Sequence, residues 1–337
     1  MTDVAEALAL HAETVVVDLH ADTPAFMRAG YDFFARHAPV PRAISFGGHV
    51  DLPRMREGGL CAQVFGIWTF PRARGPAKGV HKEIDVVAKC AAARPEDLVI
   101  AWTADDIRAA HASGRRAALL SIEGAHALEG SLDNLGQFAR LGVRSLGLLH
   151  FSKNPAGHPA YGLGKGTEGL TDFGRELVGE LDRLGVLVDL AHINRAGFLE
   201  AAARTTKPAI VSHTGVSGVH AHWRNVDDEQ IRAVASTGGC IGVIFAPRYL
   251  GRDGLAAVVD HIEHLIRAGG EDVPALGSDF DGFVRPPSDL PDVAALPRVT
   301  AEMLRRGWTR ERIAKILGGN FLRVLGAVPP RAREGTL

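Results

Sequence analysis

Eight short apolar runs, each followed by a loop and then by a segment of helical spacing, recur along the 337 residues and constrain the fold more than any other feature. The runs fall at 14–19, 61–68, 117–122, 143–149, 186–190, 209–211, 240–245 and 273–276. Helical spacing is clearest over 172–184, 194–204, 227–237 and 255–268, and Thr171 and Asn194 can each accept a bond from an amide of a first helical turn. Strands buried on both faces read as continuous apolar runs, and eight strands each followed by a helix close most simply into a (β/α)8 TIM barrel. No Pro/Ser-rich linker divides the chain, so residues 1–337 are expected to form a single domain, with extra helices from about 299 to 327 flanking the barrel.

A composition of 46% hydrophobic and 23% charged residues supplies an ordinary globular core. With 38 basic against 39 acidic residues, no broad surface for nucleic acid or anionic membrane is expected, and a small molecule is the better partner. Three widely spaced cysteines, Cys61, Cys90 and Cys240, cannot all pair, which fits a reducing compartment. The opening MTDVAEALALHAETVVVDLH does not read as a secretory signal, no long uncharged apolar run follows, and the tail is polar, so a cytoplasmic location is expected.

The chemistry gathers at the ends of the runs. Asp18-Leu19-His20-Ala21-Asp22 closes the first, and because side chains alternate along a strand, His20 and Asp22 share a direction. An imidazole beside a carboxylate is a good chelator for a divalent metal such as zinc. Other runs end in Glu123, His150, His192, His213 and Asp279, and groups at the C-terminal ends of barrel strands point into one mouth. His20, Asp22, Glu123, His192 and His213 are one ligand more than a closed tetrahedral site needs. Two ions are therefore expected, with Glu123 bridging, His20 and Asp22 on one and His192 and His213 on the other, and a hydroxide shared between them. The long loops 23–60 and 151–170 should lie on the same face.

DLHAD, SIEG, LLH, GLTDFGRELVGELDRLGVLVDLAH, SHTGV followed by HWRNVDD, GSDFDG and ILGGNFLRVL occur in that order from about residue 15 to 326, and together they resemble the membrane (renal) dipeptidase family of zinc metallopeptidases. The resemblance implies a metal-dependent hydrolase barrel of the amidohydrolase type, two Zn2+ per chain, a homodimer, and hydrolysis of dipeptides with tolerance for a D-residue at the C-terminal position. Carried onto this sequence, it puts the zinc ligands at His20, Asp22, Glu123, His192 and His213. It also puts a substrate-contacting histidine at His150, an arginine that holds the substrate carboxylate at Arg224, and an aspartate after the last strand at Asp279. Counterparts of the signal peptide and anchor signal of mammalian members are not expected in this sequence, and the long loops differ.

In chemical terms, Asp279 would move the proton as general base and then acid, His150 or a zinc would stabilise the oxyanion, and the planar fork of Arg224 suits a carboxylate. Each has a plainer competitor: a backbone bond for His150, an ion pair with Asp227 or Asp228 for Arg224, and Asp281 in place of Asp279. Asp18 is expected to support the ligands, His261 and His264 to lie outside the barrel, and His126, His158, His220 and His222 to stay out of the chemistry. GLGKG lacks phosphate-loop spacing, and Ser121, Ser152 and Ser212 lack the setting of a hydrolase nucleophile. A different metal-dependent amidohydrolase, acting on a cyclic amide, lactone or phosphoester, and a non-catalytic scaffold are the competing readings.

Overall fold

The computed structural model describes residues 2–38, 47–72 and 74–331. Its strands are β1 (Val17–Ala21), β2 (Ala62–Ile67), β3 (Leu98–Ile100), β4 (Arg116–Ile122), β5 (Val143–Gly147), β6 (Leu187–Asp189), β7 (Ile210–Thr214), β8 (Cys240–Val243) and β9 (Pro274–Leu276). Every pairing is parallel, and the β2–β4 pair closes β1, β2, β4, β5, β6, β7, β8 and β9 into an eight-stranded ring. With helices packed around it, this is a (β/α)8 TIM barrel.

All eight expected runs contribute a strand of the ring, and three differences stand out, one being that β7 runs on to Thr214 and takes in His213. The first strand starts at Val17 and runs on to Ala21, so His20 sits within it. β3 was not anticipated: it pairs only with the foot of β4, Leu98 opposite Arg116, and lies outside the ring. Three residues show no periodicity, and the carbonyls at the foot of β4 make this pairing available only once the barrel exists.

Two apolar layers hold the barrel. The larger lies between strands and surrounding helices. The second plugs the N-terminal end, where Val17, Ala62, Ala117, Leu187, Ile210, Cys240 and Ala275 meet Phe321, Leu322 and Leu325 of the helix Asn320–Ala327. That helix enters through a tight contact: a Cβ on Gly318 would stand 2.1 Å from the Val15 carbonyl oxygen. The bottom is thus sealed by hydrocarbon apart from buried Arg144, which donates to the carbonyls of Gly185 and Val328, and the histidines and carboxylates of the strand ends gather at the other end. No helix among the described residues is long and apolar enough to cross a membrane.

The segment after β1 is more ordered than a long loop implies. It carries helices Thr23–Arg28 and Leu52–Glu57, while 39–46 lie outside the described residues. Its anchor is Arg54, fully buried, which donates to Asp51 Oδ2 (2.7 Å), Asp292 Oδ2 (3.0 Å), the Gly48 carbonyl (2.7 Å) and the Tyr31 hydroxyl (3.1 Å). Removing one partner of a buried ion pair leaves the other charge uncompensated. Arg54→Ala should therefore lower stability in urea unfolding by about 3–5 kcal/mol; a change within about 0.5 kcal/mol, typical of surface sites, would show that the network holds nothing.

Candidate active site

The strand ends deliver their side chains to one small volume. His20 lies in β1 and Asp22 just after it, Glu123 follows β4, His150 follows β5, His192 follows β6, His213 lies in β7 and Asp279 follows β9. Glu123 is the hub. Its Oε1 is 3.0 Å from His192 Nε2 and 3.6 Å from both His20 Nε2 and His213 Nε2, and its Oε2 is 3.4 Å from His150 Nε2. His20 Nε2 also lies 3.3 Å from Asp22 Oδ1 and 4.0 Å from Asp279 Oδ1, and His192 Nε2 is 2.9 Å from His213 Nε2. His192 (φ 66°) and Asp279 (φ 61°) adopt left-handed backbone conformations that a non-glycine residue rarely holds. Such conformations cost roughly 1–3 kcal/mol and persist only where the surroundings impose them. Here they turn two strand exits into the mouth.

The electrostatics follow from burial. Asp22, Glu123 and Asp279 are three carboxylates shielded from water, with like charges to accommodate. Burial and the Glu123 charge push Asp22 up to about 7, and burial raises Asp279 well above the usual carboxylate range. Glu123 goes the other way: burial would raise it, but His150, His20 and His192 hold it well below its ordinary value. Burial drives His192 down to about 3, with Arg224 adding to the effect, His150 down to about 4, and His213 well below the ordinary imidazole. These three imidazoles are neutral, the form that coordinates a metal. His20 alone rises, to about 10: burial opposes this, but the charges of Glu123, Asp22 and Asp279 outweigh it. The rise marks a place where the carboxylates favour positive charge.

The donor set fits a divalent metal. His20 Nδ1 and Nε2, Asp22 Oδ1 and Glu123 Oε2 are buried with no hydrogen-bond partner, a costly arrangement unless something else satisfies them. Among the described residues, three overlapping sets converge closely enough to hold an ion: His20, Glu123 and His213; Glu123, His150 and His192; His20, Asp22 and Asp279. The first two share Glu123, and the last brings in Asp279 beside the expected ligands. Gly66 of β2 makes room for them, since a Cβ there would stand 2.5 Å from Asp22 Oδ1 and 2.6 Å from His20 Cε1.

Behind this set lies a layer of orienting bonds. Ser212 Oγ is 2.9 Å from His213 Nδ1 and accepts its proton in the tautomer that leaves Nε2 free, while Asp189 Oδ1 accepts from the Ser212 amide at 2.9 Å. Asp18 accepts from the Ser278 amide (2.7 Å), the Ser278 hydroxyl (2.5 Å) and the His20 amide (3.3 Å), stitching β1 to the turn that carries Asp279. Arg224 is buried and donates through Nη2 to the His213 carbonyl at 2.6 Å, with His192 Nε2 at 3.3 Å. Asp227 pairs instead with Arg195, and Asp228 with His264. Asp281 accepts from Thr23 Oγ1 and the His49 amide, both at 2.7 Å, so it is spent on holding the β1 loop. His126 binds the Thr69 carbonyl (2.7 Å), and buried His261 accepts from the Val216 amide (2.8 Å). His158 lies 3.0 Å from the Gly164 carbonyl through Nδ1, and His222 accepts from the Arg224 amide at 3.2 Å.

Several members of the site were not anticipated. Trp68 stands with its ring centre 6.2 Å from that of His150, and the Phe151 ring lies tilted 4.2 Å from His150 and edge-on 5.1 Å from His192. Tyr161 of the 151–170 loop stacks on Trp223 at 4.3 Å, joining that loop to the one carrying Arg224. A loop aromatic carries no periodic signal, whereas Ser212, next to a strand-end histidine, was a legible second support.

Comparison with known proteins supplies an independent line. Residues 4–335 match the family described as membrane dipeptidase, peptidase family M19. Dipeptidase tcpJ of Claviceps purpurea (strain 20.1) is 33% identical over 325 residues, which span 92% of this chain and 76% of that protein. A metallo peptidase from Rhodobacter sphaeroides, solved with a phosphinate mimic of the dipeptide L-Ala-D-Ala, superposes with a TM-score of 0.82 at 28% identity, over 94% of this chain and 99% of that one. The probable dipeptidase PvdM from Pseudomonas aeruginosa reaches 0.85 at 22% identity, over 98% and 99%, and at that identity the likeness is one of fold.

Two substitutions test the support of the donor set. Ser212→Ala should weaken metal affinity about 10–100-fold, the usual loss when a ligand's outer partner is removed, and Gly66→Ala should weaken it by displacing His20 and Asp22. Competition against a chromogenic chelator measures both, and affinities equal to the parent's would remove these residues from the account.

Proposed function

The chain belongs to the membrane dipeptidase family, peptidase family M19, and from that premise we propose that it is a dinuclear zinc dipeptidase. In this reading it cleaves dipeptides that carry a free C-terminal carboxylate and tolerates a D-residue at that end. The observation that carries the proposal is the position of Glu123, one buried carboxylate with His20, His192 and His213 around one oxygen and His150 beside the other. His20 and Asp22 would hold one ion, His192 and His213 the other, and Glu123 both. Bound there, zinc ions supply Lewis acidity and a water acidic enough to ionise near neutral pH.

The chain's own groups account for the rest. Arg224, buried beside His192, presents a planar pair of donors to the substrate carboxylate in a site with little water to compete. That contact fixes the peptide bond across the mouth, which is the positioning part of the rate enhancement. His150, kept neutral by burial, retains an N–H to donate to the oxyanion of the tetrahedral intermediate. Asp279 takes the proton of the attacking water and returns it to the departing amine. Phe151 and Trp68 place their rings beside His150 and give that edge of the mouth an apolar surface. A buried guanidinium beside the centre favours this reading over a neutral cyclic amide or lactone, which offers it no partner. The solved relative bound to a mimic of L-Ala-D-Ala supports tolerance of a D-residue.

Turnover of L-Ala-D-Ala by the purified protein should disappear with a strong chelator and return with zinc. His192→Ala should be inactive with an unchanged far-UV circular dichroism spectrum, because the barrel core does not use that side chain. Arg224→Ala should lower kcat/KM about 10–100-fold, mainly through KM, as expected for a lost charge-assisted contact. Dipeptide amides should be poor substrates for the parent enzyme. Equal turnover of amides and free acids, or activity indifferent to chelator, would defeat the proposal.

A further inference from the structure

Arg224 lies in the loop after β7, and in the eight-membered ring the strand facing β7 across the mouth is β2. A dipeptide whose carboxylate is held by Arg224 therefore extends its N-terminal residue toward β2. At that end the structure has a cavity of about 500 Å3, lined by Arg28, Trp68, Phe70, Arg72, Arg74 and Glu83 among others. Trp68 belongs both to this cavity and to the metal-ligand neighbourhood, since its ring stands 6.2 Å from His150 and 5.9 Å from Phe283.

The cavity is charged in a lopsided way. Arg28 is already engaged, donating to Glu83 Oε1 at 3.1 Å. The helix Pro76–Ala93 starts at the cavity wall, and its first amides are already met by Glu129, whose Oε1 accepts from Gly75 (2.8 Å) and Ala77 (3.0 Å). Arg72 and Arg74 remain, and among the described residues neither has an acidic partner. Two further polar groups in the wall are left over. The Trp68 indole N–H is buried without a hydrogen-bond partner, and so is Oε2 of Glu83, a residue only 2% exposed. Buried polar groups without partners are rare and point to a ligand that completes them. Two exposed guanidiniums with no acidic partner among the described residues, beside a buried indole N–H, suit an anionic acceptor, and the carboxylate oxygen suits an N–H donor close by. An N-terminal acidic residue offers both, a side-chain carboxylate and an α-ammonium a few bonds away.

We propose that this cavity receives the side chain of the substrate's N-terminal residue and selects a carboxylate there, so that the preferred dipeptides begin with glutamate or aspartate. Arg72 and Arg74 bind the side-chain carboxylate, the Trp68 N–H adds a directional donor, and Glu83 faces the ammonium. The inference rests on the dipeptidase reading and on Arg224 holding the opposite end.

The test compares kcat/KM for Glu-Ala, Gln-Ala, Ala-Ala and Lys-Ala on the zinc-loaded enzyme. Glu-Ala should exceed its isostere Gln-Ala about tenfold or more, the scale of a charge-assisted contact, and Lys-Ala should be the poorest. The Glu-Ala to Gln-Ala ratio should fall toward one in the double variant Arg72→Gln, Arg74→Gln, through KM, and should narrow as salt is raised. Equal turnover of Glu-Ala and Gln-Ala, or a ratio unmoved by the double variant, would overturn the assignment. If no dipeptide is hydrolysed, the dipeptidase reading fails, and calorimetric binding decides the cavity alone. Tighter binding of Glu-Ala than Gln-Ala that disappears in the double variant upholds it, and equal binding overturns it.

Discussion

Three carboxylates closed off from water within about 4 Å of one imidazole are the constraint around which this molecule is arranged. Like charges at that range in a dry mouth cannot all stay ionised without a cation. Against the effect of burial, their charges raise His20 to about 10, while burial lowers the imidazoles of His192 and His213 beside it. Such a set is poor as packing and good as a chelator. Glu123 is central because its two oxygens face four histidines, carried by β1 and β7 and by the ends of β5 and β6.

The barrel tolerates this cluster because it divides its labour along its axis. Hydrocarbon from every strand of the ring except β5, capped by the C-terminal helix, fills the bottom. The top is held in register by bonds that never touch substrate: Asp18 to Ser278 across β1 and β9, and Asp189 to Ser212 across β6 and β7. Burial raises both of these carboxylates, and hydrogen bonds from the neighbouring strand partly offset the effect. Left-handed backbone at His192 and Asp279 costs some stability and aims the two residues inward. Arg54 performs a similar service for the segment after β1, tying it to Asp292 near the other end of the chain.

Much of this was legible in the sequence, for identifiable reasons. Strands buried on both faces leave an unmistakable apolar run, so all eight members of the ring could be found from one chain. Period-two alternation placed His20 with Asp22, and the rule that barrel strands carry chemistry at their C-terminal ends gathered Glu123, His150, His192, His213 and Asp279 into one mouth. What stayed hidden depends on contacts between distant segments. β3 is too short to carry a period. Asp281 stood in GSDFDG as the competitor of Asp279, and the bonds that occupy it, from Thr23 and His49, come from a distant segment. Gly66 reads as an ordinary strand glycine until His20 and Asp22 are seen against it. The arginine-lined cavity joins residues from the β1 and β2 loops with a helix, and no local pattern announces it.

The central claim is that one carboxylate joins two metal sites, and metal stoichiometry tests it most directly. Elemental analysis after zinc reconstitution and gel filtration, on the parent and on Glu123→Gln, is the measurement. Two zinc ions per chain in the parent, falling to one or none in a variant that remains folded, is the outcome this account requires. A parent that retains less than one ion, or a variant that keeps two, would contradict it.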